Sequence, residues 1–551
     1  MHHQPADLVL VNGWVLTLDR HATETTALAV AGDRILAAGT DDDIRALTGR
    51  ATTVIDLAGR TVLPGINDAH LHLSFLGLAM PPHVVDLSPQ RSLEDLQRTL
   101  ATAAATTRGE WLIGTSWSEG EIAEFADRTR PPHRHDLDPH SGDRPVALHH
   151  ISKHGVWANT AALRIAGITS ATPDPEGGII VRDAAGEPTG LLLETASELL
   201  TQHIPPAGAD QRQQALRAAL RLLNSLGITS LTDPMVSPDA LRDLILLRRS
   251  GALTVRTSVL MYWDSAMSTS LEKVRTGLRT SGLASGLGDE WLRIGGVKVF
   301  SDGVPSQGTA WTYQPYHHDC TGSLTTPGAD GTARYDELLD IIEAVHRNRM
   351  HAQVHATGDR AVDAVIDGVL RAQSRDPWPD ARHAILHGTL IKDPLTMGRL
   401  ADHGIGVVTS SVMKAGLAAG MRSALGDEGA HATFLAGSLL AAGVQVADSS
   451  DAPVVPPDWR RGLQTLVTGD GYGARAATER LTRTQALRLW TNAGACLEDA
   501  EHAKGSLEPG KLADFVVLAE DLHSVADHEL SGLTPQLTYV GGACVFDATN
   551  D

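Results

Sequence analysis

A chain of 551 residues, 42% hydrophobic and 20% charged, has globular composition and is too long for one core of ordinary size; a large barrel or α/β domain with an attached module fits it. Forty-six basic against sixty-six acidic residues give a net charge of −20, which argues against nucleic acid and against an anionic membrane surface, since both need a basic face. Three scattered cysteines (Cys320, Cys496, Cys544) build no disulfide framework and fit a reducing, cytoplasmic setting, and the absence of a long apolar run or a basic-then-apolar start predicts neither a membrane span nor a secretory signal.

In chain order, residues 7–60 read as β structure. Residues 7–11 run into Asn12-Gly13, a hairpin turn signal, and 14–18 resume a strand; 27–39 form another strand pair around Gly32-Asp33. The same texture returns at 515–518 and 537–546. A small β-sandwich module built from both termini (1–60 with 500–551), with a larger domain inserted, is the economical reading, because chain ends often lie close in space.

Between the termini, short apolar strands alternate with helical patterns, as in βα units around a parallel sheet. Strands are expected near 61–66, 227–232, 254–261, 294–300, 351–355, 383–387, 404–409 and 443–447, with helices such as 210–226, 336–349 and 360–374. These repeats predict an α/β fold, a TIM-like (β/α)8 barrel over 61–74 and 206–499, with catalytic residues at the C-terminal strand ends. The interval after the first strand is far longer than one helix requires. Residues 75–205 are therefore read as an α+β insertion over the barrel mouth, with strand-like 111–114, 145–148 and 178–182 and helical 91–106.

The chemistry gathers at predicted strand ends. His70 and His72 are separated by one residue, so on an extended strand both imidazoles point to one face and form a chelating pair. Alone, two of 25 histidines on a polar loop explain the pattern as well. Lys298, His355, His387 and Asp451 fall at later strand ends, and each by itself has an ordinary role: a solvated lysine, bonded core histidines, a helix cap. Together they are the donor types that a borderline or hard divalent metal takes, at the rim where a barrel places its site. Lys298, within Val297-Lys298-Val299-Phe300, also needs a reason to be on a buried strand.

The order HxH, Lys, His, His, Asp resembles the amidohydrolase superfamily. The phrases LPGINDAHLHL, VKVFSDG, HATGDRAVD, ILHGTLI, SSDAPV and GSLEPGKLADFVVL resemble its family 3, the YtcJ-like and N-substituted formamide deformylase branch, as do KHGVWANTAAL and GEPTGLLLE in the insertion. The resemblance implies that His70 and His72 bind one metal, that Lys298 is a carbamylated bridge, and that His355 and His387 hold a second. Asp451 would ligate a metal and act as general base. Zn²⁺, in one or two positions, is the implied cofactor. The implied reaction is hydrolysis of a C–N, amide-type bond in a small molecule, an N-substituted formamide or another N-acyl amine. A cyclic amide, carbamate or ester substrate, or a catalytically silent metal-binding scaffold, stays open, and a homo-oligomer is compatible with the resemblance.

The branch reads Asp-Gly-His where this chain has Ser152-Lys153-His154, leaving His154 as a candidate catalytic contact to the substrate or as a structural histidine. Trp117, Trp311 and Met413 are candidates for an apolar pocket wall or for packing, the second within the 303–335 loop after a barrel strand. Asn159 either serves the site or caps a helix at 160–166. Asp448 is the runner-up base, and Asp302 either orients a ligand or makes a turn.

Overall fold

The computed structural model describes residues 5–81, 83–87, 90–106, 109–117, 122–125, 130–150, 155–175, 178–264, 267–316 and 320–550. The chain divides into two units, Met1–Leu73 with Leu220–Asp551, and Ser74–Ala219.

The terminal module follows from strand alternation. In Ala6–Val11, Leu8 and Leu10 face a core shared with Val15, Val62, Phe515, Val517 and Tyr539, while Val9 and Val11 face the other way, toward Ile44. That strand lies in a four-stranded sheet with Arg34–Gly39, Ala27–Ala31 and Thr48–Asp56. A six-stranded sheet combines both chain ends: Ala543–Asp547, Pro535–Val540, Phe515–Leu518, Thr61–Pro64, Trp14–Leu16 and Glu24–Thr25. Side chains of both sheets meet in one core, and the Phe515 and Tyr539 rings stack at 4.6 Å.

The expected strand over 61–66 is in fact two strands. Thr61–Pro64 pairs antiparallel with Phe515–Leu518 in the sandwich, and the barrel begins at Ile66. The handover falls at Gly65, where a Cβ would stand 2.0 Å from Thr229 Oγ1, so no side chain fits.

The barrel strands are β1 (Ile66–Asp68), β2 (Ile228–Val236), β3 (Arg256–Met261), β4 (Leu292–Phe300), β5 (Ala352–Ala356), β6 (Ala384–His387), β7 (Gly406–Thr409) and β8 (Val446–Asp448). They lie parallel, each beside its neighbour in sequence, and Ala69 N–H donates to Asp448 O (3.2 Å) between the first and last. Amphipathic helices cover the sheet. In Asp359–Arg375 the buried stripe is Val362, Val365, Ile366, Val369 and Ala372, and Gly368 lets Ile342 approach. Gly331–Arg347 is capped by the Asp330 side chain, which accepts from Ala333 N–H. This is the TIM-like barrel expected from the alternating pattern.

Arg256 at the start of β3 is 2% exposed and forms a two-pronged bond with Asp514 of the terminal module, Nε–Oδ2 2.6 Å and Nη2–Oδ1 3.0 Å. Trp291 lies over the guanidinium at 4.5 Å, and Gly541 N–H also donates to Asp514.

The smaller unit has its own six-stranded sheet, in the order Gly178–Arg182, Pro188–Glu194, Gly155–Ala158, Val146–His150, Leu112–Trp117 and Val85–Asp86. Helix Leu93–Thr106 packs Leu96 and Leu100 into a core with Phe125, Leu148 and Trp157. Among the described residues, no helix is long and apolar enough to cross a membrane.

Candidate metal centre

The backbone where β8 meets β1 assembles the site. Beyond the Ala69–Asp448 bond, Asp451 N–H donates to His70 O (2.8 Å) and His72 N–H to Ala452 O (2.9 Å), which lays the chain after β8 along the chain after β1. Asp68 is buried and reinforces the join: its carboxylate accepts from Ser450 N–H (3.1 Å) and His70 N–H (3.2 Å).

In consequence Asp451 Oδ1 stands 3.1 Å from His72 Nε2 and 3.4 Å from His70 Nε2. His387 Nδ1 lies 3.9 Å from Asp451 Oδ2, and the rings of His387 and His355 are 4.7 Å apart. Both His387 (φ 71°) and Asp451 (φ 59°) sit in the left-handed region, a strained backbone that aims their side chains to one place. Lys298 is 1% exposed, with Nζ 4.7 Å from the Phe300 ring centroid. The six strand-end residues are thus brought into one group, buried except for the partly exposed His72, with His70, His72 and Asp451 as its tightest part.

Protonation favours a cation. Burial, helped by the Lys298 charge, lowers His70 to about 3 and His355 to about 4, and burial likewise holds His387 well below its usual value. Burial also pulls Lys298 down to about 7, against the attraction of Asp451. For Asp451 burial acts upward, but the close approach of the His70 and His72 rings and the charges around it prevail and hold it well below the usual carboxylate range. His70, His355 and His387 therefore present neutral imidazole nitrogens near an anionic carboxylate, the states in which these groups ligate metals. His70 Nδ1 and Nε2 and Asp451 Oδ1 are buried without a hydrogen bond among the described residues. Donors of this kind, left unsatisfied and converging, fit a divalent metal.

His355 Nε2 lies 3.0 Å from Gly303 O, so that nitrogen carries the proton and Nδ1 keeps its lone pair. The Gly303 turn is held by Asp302, whose carboxylate accepts from Trp311 N–H (2.9 Å), Thr357 N–H (3.0 Å) and Gly358 N–H (2.9 Å). Asp302 thus orients a candidate ligand by tying the loop after β4 to the turn after β5. Asp302→Ala strands three amides, those of Thr357 and Gly358 buried and that of Trp311 partly so. It is expected to lower unfolding stability by roughly 3 kcal/mol or more and to weaken metal retention, measured by urea denaturation and metal content after dialysis.

Asp448 is a structural acceptor: Ser411 N–H, Ser411 Oγ–H and Ser449 N–H all donate to it. Asn159 caps helix Thr160–Ala166 through Ala162 N–H and also bonds Val146 N–H, Ser141 and Arg144. Trp117, expected at a pocket wall, is placed in the core of the smaller unit, 1% exposed, with its indole N–H on Leu148 O and its ring against Trp157. Trp311 is half-buried in the loop after β4, beneath the Arg360 guanidinium at 4.2 Å. Met413 is buried on helix Ser411–Gly416, directly after β7. His154 lies outside the described residues. Sequence reasoning missed Asp68, although it precedes the HxH pair by two residues; only the carboxylate's position between two strand ends reveals its role.

Residues 53–546 match the model of a family described as the amidohydrolase family. A putative amidohydrolase, YtcJ of Bacillus subtilis, is 28% identical over 97% of this chain and 98% of its own. An N-substituted formamide deformylase of Arthrobacter pascens is 29% identical over 99% of both. The crystal structure of an uncharacterized metal-dependent hydrolase from Pyrococcus furiosus superposes with a TM-score of 0.75 at 26% identity, covering 93% of this chain and 99% of that one. A family match across nearly the whole length, on a barrel whose strand ends converge in this way, makes the chain a member of the amidohydrolase family and a metal-dependent hydrolase.

Proposed function

We propose that the protein hydrolyses the C–N bond of a small amide, an N-substituted formamide or another N-acyl amine, with Zn²⁺ held by His70, His72 and Asp451. A second metal position would draw on His355, His387 and a carbamylated Lys298. The observation that carries this reading is the convergence of the His70 and His72 imidazoles on an otherwise unsatisfied carboxylate oxygen of Asp451 at the end of the barrel where such enzymes work. The relative acting on N-substituted formamides supports the substrate class.

A divalent ion bound here would lower the pKa of water and polarise a carbonyl. The protein's own groups do the rest. Asp451, anionic and beside the chelating pair, accepts the proton of the attacking water and delivers it to the departing amine nitrogen. His70 and His72, fixed after β1 by their backbone bonds to Asp451 and Ala452, flank the carboxylate and hold it in place. Burial leaves the Lys298 amine unprotonated often enough near pH 7 to add to CO₂ with loss of a proton, giving an anionic carbamate.

The test is a hydrolysis screen of N-formyl, N-acyl and cyclic amides together with metal analysis. Purified protein is expected to retain divalent metal, to lose turnover after dialysis against a chelator and to regain it with Zn²⁺. An absence of tightly held metal after growth in metal-supplemented medium would favour the scaffold reading.

A further inference from the structure

The opposite end of the barrel holds a cavity of about 230 Å³ that hydrolysis does not use. It opens where β3 and β4 begin, and its wall includes Ser258, Arg293, Glu498 and Lys504. Arg293 and Lys298 stand five residues apart on β4, roughly 16 Å at strand rise, so this cavity is remote from the metal centre. An apolar cluster of Leu260, Leu386, Val408, Ala447 and Leu497 fills the barrel between them.

The acids around the cavity are already matched. Asp289 accepts from Trp291 N–H, Leu292 N–H and Arg248, Glu290 pairs with Arg34, and Glu498 takes Asn67 Nδ2–H (2.9 Å) and Lys504 Nζ–H (2.6 Å). Arg256 is matched by Asp514. The donors are not all used. Ser258 is 2% exposed, and its Oγ has no hydrogen-bond partner among the described residues. Lys504 is 7% exposed and spends two of its three N–H groups, on Ser230 Oγ and Glu498. Arg293 makes one long contact, 3.5 Å to Asp499 O. Gly295 keeps the space beside Ser258 open, since a Cβ there would lie 2.3 Å from its Oγ.

Surplus buried donors and a guanidinium, facing acids that have their own partners, are a recognition pattern for oxygen anions. We propose that this cavity binds a small oxyanion, a carboxylate or a phosphate, on the Arg293 guanidinium, Ser258 Oγ–H and the remaining Lys504 N–H.

The full-length, metal-loaded protein would be titrated with acetate, succinate and inorganic phosphate at constant ionic strength, with calorimetric binding and thermal unfolding as readouts. At least one anion is expected to bind saturably and raise the unfolding midpoint; the arm that does so names the source. Arg293→Gln is expected to weaken binding roughly tenfold and Ser258→Ala roughly fivefold, while Asp451→Asn leaves it unchanged. If Arg293→Gln does not fold, Ser258→Ala decides. No saturable binding, binding untouched by Ser258→Ala, or binding abolished by Asp451→Asn would overturn the proposal, the last because the anion would then sit at the metal centre.

Discussion

Asp451→Asn is expected to lower kcat by about 10²–10⁴-fold while the protein keeps most of its metal. The amide preserves the size of the group and one oxygen directed at His70 and His72, but it has no capacity to take a proton near neutral pH. Asparagine is the right substitution because residue 451 has φ 59°, a conformation that Asn adopts nearly as readily as Asp, whereas alanine would add backbone strain of about 1 kcal/mol. Steady-state kinetics on the best substrate from the amide screen, with metal content measured on the same sample, separates lost proton transfer from lost ligation. Turnover near wild type would remove Asp451 from the proposed role. Loss of metal in proportion to loss of activity would make it a ligand alone.

Asp514→Ala is expected to lower stability by about 3–5 kcal/mol, read from the midpoint and slope of urea unfolding. The change leaves the Arg256 guanidinium, 2% exposed, without its counter-charge and removes the acceptor for Gly541 N–H. The pair joins a barrel strand to the terminal module, so the two are expected to lose cooperativity together. A double variant, Arg256→Met with Asp514→Leu, is expected to be more stable than Asp514→Ala, because two apolar groups of similar bulk carry no desolvation penalty. Equal destabilisation by the two would mean that packing, rather than an orphaned charge, explains the loss.

Much of the barrel is legible because its periods are local. The alternation of short apolar strands with stripes such as Val362, Val365, Ile366 and Val369 follows from strand and helix geometry, and neither requires knowledge of a distant partner. The division at Gly65 is not legible. Thr61–Pro64 and Ile66–Asp68 are both buried and nearly continuous, and they join different sheets only because Phe515–Leu518 offers an edge to the first and Ile228–Val236 to the second. Trp117 shows the same limit. An aromatic residue in a loop-rich insertion looks like a pocket wall until Leu148 and Trp157 are seen to occupy its indole N–H and its ring.

The candidate site divides along the same line. The spacing of His70 and His72 is a property of extended chain, so two imidazoles on one face could be read directly from the letters, and the donor chemistry of Lys298, His355, His387 and Asp451 with them. That they meet around Asp451, with Asp302 and Asp448 holding backbone instead, was settled by closure of the barrel. The bonds from Ala69 to Asp448, Asp451 to His70 and His72 to Ala452 join segments almost the whole barrel apart in sequence; burial of that junction keeps the His70 imidazole neutral, and the neighbours it brings beside Asp451 keep that carboxylate charged against burial. Local geometry decides what each strand end presents; only long-range closure and desolvation decide which ends face one another and in what charge state.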